Sequence, residues 1–203
     1  MRRPLAPLLL SLALLSACSS DPSTVAEPPR TSGAPAPSAS ASAAGIPGLE
    51  VTDEKLSRDH KDGPLEYDPV PPVGGTHNPR WLACDVYDEP VPNEVAVHSL
   101  EHGAVWFTYQ PDLPEEQVER LEELAKENRE YALVSPMEGL ASPVVAVAWG
   151  VTLAVPDAQD ERLEAFLEEY AGGAQGGEPG APCRGSGLSL REARGLVGGG
   201  TSA

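Results

Sequence analysis

The sequence predicts an α+β domain: a mixed or antiparallel sheet with two helices on one face, near the split βαβ sandwich, preceded by a Pro-rich extended wrap. Three observations predict it. Two runs, AVWFTY at Ala104 to Tyr109 and VVAVAW at Val144 to Trp149, are apolar at consecutive positions and rich in β-branched and aromatic residues, the composition of strands buried on both faces. Two other segments, one holding Val118, Leu121, Leu124 and Ala125 and one holding Leu163, Phe166, Leu167 and Tyr170, repeat their apolar residues at helical spacing. Between Leu65 and Asn93 the prolines are too dense for a helix or a central strand, so that stretch runs extended over a surface.

Taken in order, the chain starts with an address. Arg2 and Arg3 precede an apolar core at Leu5 to Leu15, too short to span a bilayer as a mature anchor, and LSAC closes it. Residues 1–17 thus resemble a bacterial lipoprotein signal peptide, which makes Cys18 the expected lipidated N-terminus and the membrane the expected partner. From 18 to 64 the chain is rich in Pro, Ala and Ser, has no periodicity, and reads as a disordered tether in which His60 is solvated. The globular domain is expected over 65–183.

Within it, Asp112 with Glu115 three residues on makes a capping-box pattern for the first long helix, and Pro114 sits in its first turn. Tyr131 to Val134 and Val151 to Val155 read as further short strands, SPMEGLASP as a loop holding Met137, and Asp157 as the cap of the last helix. Residues 184–203 read as a flexible Gly-rich tail.

The 203-residue chain has formal net charge −17. Loss of Arg2 and Arg3 with a signal leaves 12 Lys+Arg of 14 against 31 Asp+Glu, near −19. Such a balance excludes nucleic acid as a partner, because binding it needs clustered cations. With Cys18 assigned to lipid, Cys84 and Cys183 remain, an even pair that outside the cytoplasm predicts one disulfide. A loop of roughly 100 residues closed this way contributes about 4–5 kcal/mol in the chain-entropy account. Cys84 as a soft metal ligand is the other reading.

The chemistry-bearing residues cluster in NEVAVHSLEHGAVWFTY, from Asn93. His98, Glu101 and His102 fall at offsets of zero, three and four, which on a helical turn share one face before Gly103 redirects the chain. His77, from the Pro-rich wrap, could complete a three-histidine metal site, and neutral imidazole suits zinc and copper. Met137 as an additional ligand would favour copper, since soft sulfur suits Cu(I). HSLEH also satisfies the inverted zinc-peptidase pattern H-x-x-E-H, but such sites lie inside a longer helix and Gly103 ends this one.

PPVGGTHNPRW, the stretch from Cys84 to Pro111, VVAVAWG and EPGAPC together resemble the bacterial family called domain of unknown function 3105. The resemblance runs from about Tyr67 to Cys183 and implies that His77, Cys84, His98, Glu101, His102 and Cys183 belong to the family pattern, with Asp85 replacing the usual glycine. No reaction comes with the family name. The expected function is therefore an extracytoplasmic, lipid-anchored domain binding copper or zinc through His77, His98 and His102. Two alternatives stay open: an envelope interaction module with structural histidines, and a metal-dependent oxidase or hydrolase.

Overall fold

A computed structural model describes residues 45–52, 55–178 and 180–198. The expected signal, Cys18 and most of the expected tether lie outside them. Among the described residues no helix is long and apolar enough to cross a membrane.

Among the described residues the fold is α+β, with one five-stranded mixed sheet and four helices. The strands are β1 (Leu49–Val51), β2 (Val105–Tyr109), β3 (Ala132–Pro136), β4 (Val144–Ala148) and β5 (Val151–Val155), in the order β1-β5-β4-β2-β3. Helix α1 (Asn93–Glu101) precedes β2, α2 (Glu115–Glu127) links β2 to β3, α3 (Arg162–Tyr170) follows β5, and α4 (Leu190–Val197) closes the described chain. Strands β2 and β3 are parallel and adjacent, so the β2-α2-β3 unit is not split; β4 pairs antiparallel with β2 on its other edge.

Alternation along the strands divides the core in two. Val105, Phe107 and Tyr109, with Val144, Ala146, Leu153 and Val155, face Leu121 and Leu124 of α2 and Leu163, Phe166 and Leu167 of α3. Trp106, Leu133, Val145 and Val147 face the other way, onto Val95 to Leu100 of α1, Leu82 and Val91 of the wrap and Ala193 of α4. The two expected helices therefore do share one face. The opposite face is covered by α1, the wrap and α4. Both faces of the central strands are thus dry, which is why their sequences are continuous apolar runs rather than alternating ones.

The folded region exceeds the expected bounds of 65 and 183 at both ends. Residues 49–51 add β1, paired antiparallel with β5 at Leu49 and Leu153. The tail forms α4 because Ser189 and Glu192 build a reciprocal capping box at its start. The Trp81 and Ala83 backbones then bond Leu188 at 2.9 Å each, fastening the tail to the wrap. Two caps differ from expectation: α2 starts after Pro114 and α3 after Glu161, each without a side-chain cap, so Asp112 and Asp157 cap neither. Cys84 and Cys183 form the disulfide, with Cα atoms 5.2 Å apart, and neither is a free thiolate.

Candidate metal centre

Helix α1 places the distinctive residues. It ends in a Schellman turn: Gly103, at φ 91°, donates its N–H to the Leu100 carbonyl at 2.9 Å, and Ala104 donates to Ser99 at 3.0 Å. The helix carries His98, Glu101 and His102 toward the wrap, and the wrap is bonded onto it. Asn78 N–H donates to the Glu94 carbonyl, Leu82 N–H to the Val95 carbonyl, and Ser99 Oγ to the Leu82 carbonyl at 2.7 Å. This stapling brings His77 and Asn78 beside His98. A second extended segment then lies along the first, where Lys61 N–H donates to the His77 carbonyl and His77 N–H to the Asp59 carbonyl. That pairing puts His60 against the cluster.

Four side chains converge. Ligand atoms of His60, His77, His98 and Glu101 all lie within 4.8 Å of one another and could hold a metal ion. His77 is fully buried and Glu101 nearly so, while the His60 side chain keeps 45% of its surface exposed and opens the cluster to solvent. His60 stacks on His98 with ring centroids 4.9 Å apart and meets His77 edge-on at the same distance.

The hydrogen bonds decide which nitrogens are available. His77 Nδ1–H donates to the Gly75 carbonyl at 2.7 Å, and His98 Nδ1–H donates to the Asn78 carbonyl at 2.6 Å. A carbonyl only accepts, so each ring spends its proton there and presents Nε2 as a bare lone pair. Burial reinforces this state. It pushes His98 down to about 3 against the pull of the Asn78 carbonyl, and it lowers His77 and His102 as well. The rings are neutral at pH 7. Fixing the distal nitrogen by a backbone carbonyl is the support that metal-binding histidines require.

The consequence is sharpest at His77. Its Nε2 lies 3.0 Å from Glu101 Oε2, within ion-pair distance, but finds no well-aligned hydrogen bond among the described residues. With the neutral ring's proton on Nδ1, Nε2 and the carboxylate oxygen face each other as two acceptors. Two ligands each about 2.0–2.1 Å from a tetrahedral ion stand about 3.3–3.4 Å apart, so the separation is close to that of donors sharing a cation. His60 Nε2 is 3.8 Å from the same oxygen, and Arg58 Nε approaches the other, Oε1, at 3.5 Å.

A glycine-rich loop covers the end of α1. Gly172 N–H donates to the Gly103 carbonyl at 2.8 Å and Glu178 N–H to the Glu101 carbonyl at 3.1 Å. A Cβ on Gly103 would stand 3.0 Å from the Gly172 Cα, and one on Gly176 would stand 2.2 Å from the Glu101 carbonyl oxygen, so glycine is what permits this approach. Glu178 thereby reaches His102, Oε2 to Nε2 at 3.3 Å.

His77, His98 and Glu101 therefore meet as expected, whereas His102 stands one step aside. Its Nε2 is 3.2 Å from His98 Nε2, and its ring lies on Trp81 with centroids 4.6 Å apart. Met137 is not brought to the site. Its N–H donates to the Tyr109 carbonyl at the far end of β2 from Gly103, because β3 runs parallel to β2 and carries its own end away. His60, expected in a solvated tether, belongs to the cluster, and Arg58, Glu178 and Trp149 surround it without having been anticipated. Trp149 is edge-on to His77 at 5.7 Å.

These features define a class: an α+β domain with an internal histidine–carboxylate cluster on one face of its sheet. The chain belongs to the family described as Protein of unknown function (DUF3105), whose pattern matches residues 59–185. No curated protein and no solved structure matches it.

Proposed function

We propose that this chain is an extracytoplasmic, lipid-anchored domain that binds a divalent transition metal, zinc or copper, in the cluster of His60, His77, His98 and Glu101. The observation that carries the proposal is the pair of facing acceptors, His77 Nε2 and Glu101 Oε2, 3.0 Å apart in a buried position. Leaving buried acceptors opposed costs the fold, and a cation between them removes that cost. With Met137 at the far end of β2 and both cysteines in the disulfide, the donors are nitrogen and oxygen, which suit Zn(II) or Cu(II) rather than Cu(I). The lipid anchor rests on the signal-like start, and the location outside the cytoplasm on that start and the disulfide.

The test is metal content by mass spectrometry after exposure to zinc and to copper(II) and removal of loose ions. The soluble chain carries Cys18→Ser. It should retain at least one equivalent, and a His77→Ala/His98→Ala chain should retain none. An empty parent with normally folded variants would favour the envelope interaction reading instead. The half-exposed His60 also leaves an ion reachable by a small substrate, so turnover by the loaded chain separates an oxidase or hydrolase from storage or delivery.

A further inference from the structure

A single ion in the four-residue cluster leaves His102 unexplained. Its ring is buried, its Nδ1 has no hydrogen-bond partner among the described residues, and its Nε2 faces two acceptor atoms at once. One is His98 Nε2 at 3.2 Å, already a bare lone pair because the His98 proton is spent on Asn78. The other is Glu178 Oε2 at 3.3 Å.

Neither neutral tautomer satisfies this arrangement. A proton on Nε2 serves only one of the two acceptors and strands Nδ1 as a buried lone pair with no donor. A proton on Nδ1 leaves that N–H buried without a partner among the described residues, and sets the bare Nε2 against two other acceptor atoms. A cation bound at His102 Nε2 removes that opposition of lone pairs. The two separations, 3.2 and 3.3 Å, are close to the edge of a tetrahedron whose corners lie about 2.0–2.1 Å from its centre, about 3.3–3.4 Å.

We infer that the site is built for two metal ions, the second held by His98, His102 and Glu178. This rests on the metal-binding reading above and adds the stoichiometry and the second ligand set. An imidazole nitrogen has one lone pair, so His98 serves one ion at a time. With both positions filled it goes to the second ion, and His60, His77 and Glu101 hold the first, leaving coordination positions there for water or a small ligand. Two carboxylates, Glu101 and Glu178, supply one negative charge to each ion, within a chain of net charge −17 that favours cations overall. Glu178 comes from the glycine-rich loop, so that loop contributes a ligand to the second ion as well as covering the first.

Equilibrium dialysis of the metal-free Cys18→Ser chain against zinc reads the number directly. Two equivalents are expected in the parent. Glu178→Gln, at a side chain 62% exposed and outside both cores, should bind one. His102→Gln should also bind one, with circular dichroism unchanged in both variants. One equivalent in the parent overturns the second position and leaves the metal-binding reading standing. No zinc in the parent overturns both. Two equivalents that persist in both variants overturn the assignment of His102 and Glu178.

Discussion

The two faces of the sheet each pack against a buried apolar cluster but are closed in opposite ways. Helix α2 covers one of them with three buried residues in thirteen, Leu121, Leu124 and Ala125, and leaves its glutamates in water. Helix α1 covers the other with eight of its nine residues buried, Glu94, His98, Ser99 and Glu101 among them. An amphipathic helix is explained by burial of its stripe. A helix buried all round, with a carboxylate and an imidazole inside, needs partners for every polar atom. Glu94 and Ser99 find theirs in Leu65 N–H and the Leu82 carbonyl. Among the described residues His77 Nε2 and His102 Nδ1 do not, and that remainder is what the metal-binding proposal rests on.

Breaking the comparison starts with what both faces share. Removing the disulfide by Cys84→Ser/Cys183→Ser should cost about 4–5 kcal/mol in the chain-entropy account, read as a lower urea midpoint, because it ties the wrap to the segment below the glycine loop. Next come two neighbours on β2 that point to opposite faces. Phe107→Ala and Trp106→Ala should each cost about 3–5 kcal/mol in denaturant unfolding. A loss below about 1 kcal/mol for either would mean that its face is not packed as described.

Smaller changes sharpen the contrast. Glu101→Gln keeps the volume and removes the charge, and should weaken zinc at the first position by about 100-fold, roughly 2.7 kcal/mol, in a chelator competition. The same exchange at Glu116, in the first turn of α2, should leave zinc unchanged. Gly103→Ala sets a side chain at φ 91° against the Gly172 backbone and should cost about 1–3 kcal/mol in the same unfolding assay.

Acid distinguishes the faces as well. His98 is held far below an ordinary histidine, so the unfolded chain takes up its proton first. The metal-free fold should therefore keep this contribution above about pH 6.5 and lose it progressively as the pH falls toward about 3. Melting temperatures of the parent should fall more steeply across that window than those of a His98→Gln chain. Equal slopes would count against a buried neutral His98.

The α2 face was legible because its signals are periodic. Strands β2, β4 and β5 and helices α2 and α3 emerge from apolar spacing, and the sheet class follows from them. Helix α1 was legible only as a polar turn, since a helix buried on nearly every side shows little amphipathic contrast to read. His98, Glu101 and His77 were found through their spacing and motif, but His60 was not: SRDHKDG has no apolar pattern, and only backbone pairing with His77 carries it inward. The family match begins at residue 59, which was the available signal. The capping box at Ser189 and Glu192 was likewise present in the sequence, masked by the surrounding glycines. Met137 failed because loop position says nothing about which end of a parallel pair a residue will occupy.

X-ray absorption at the zinc edge of the loaded Cys18→Ser chain tests the central claim most directly. The account predicts a first shell of nitrogen and oxygen with outer-shell imidazole scattering and no sulfur at about 2.3 Å. A zinc–sulfur distance, or an oxygen shell without imidazole, would contradict it.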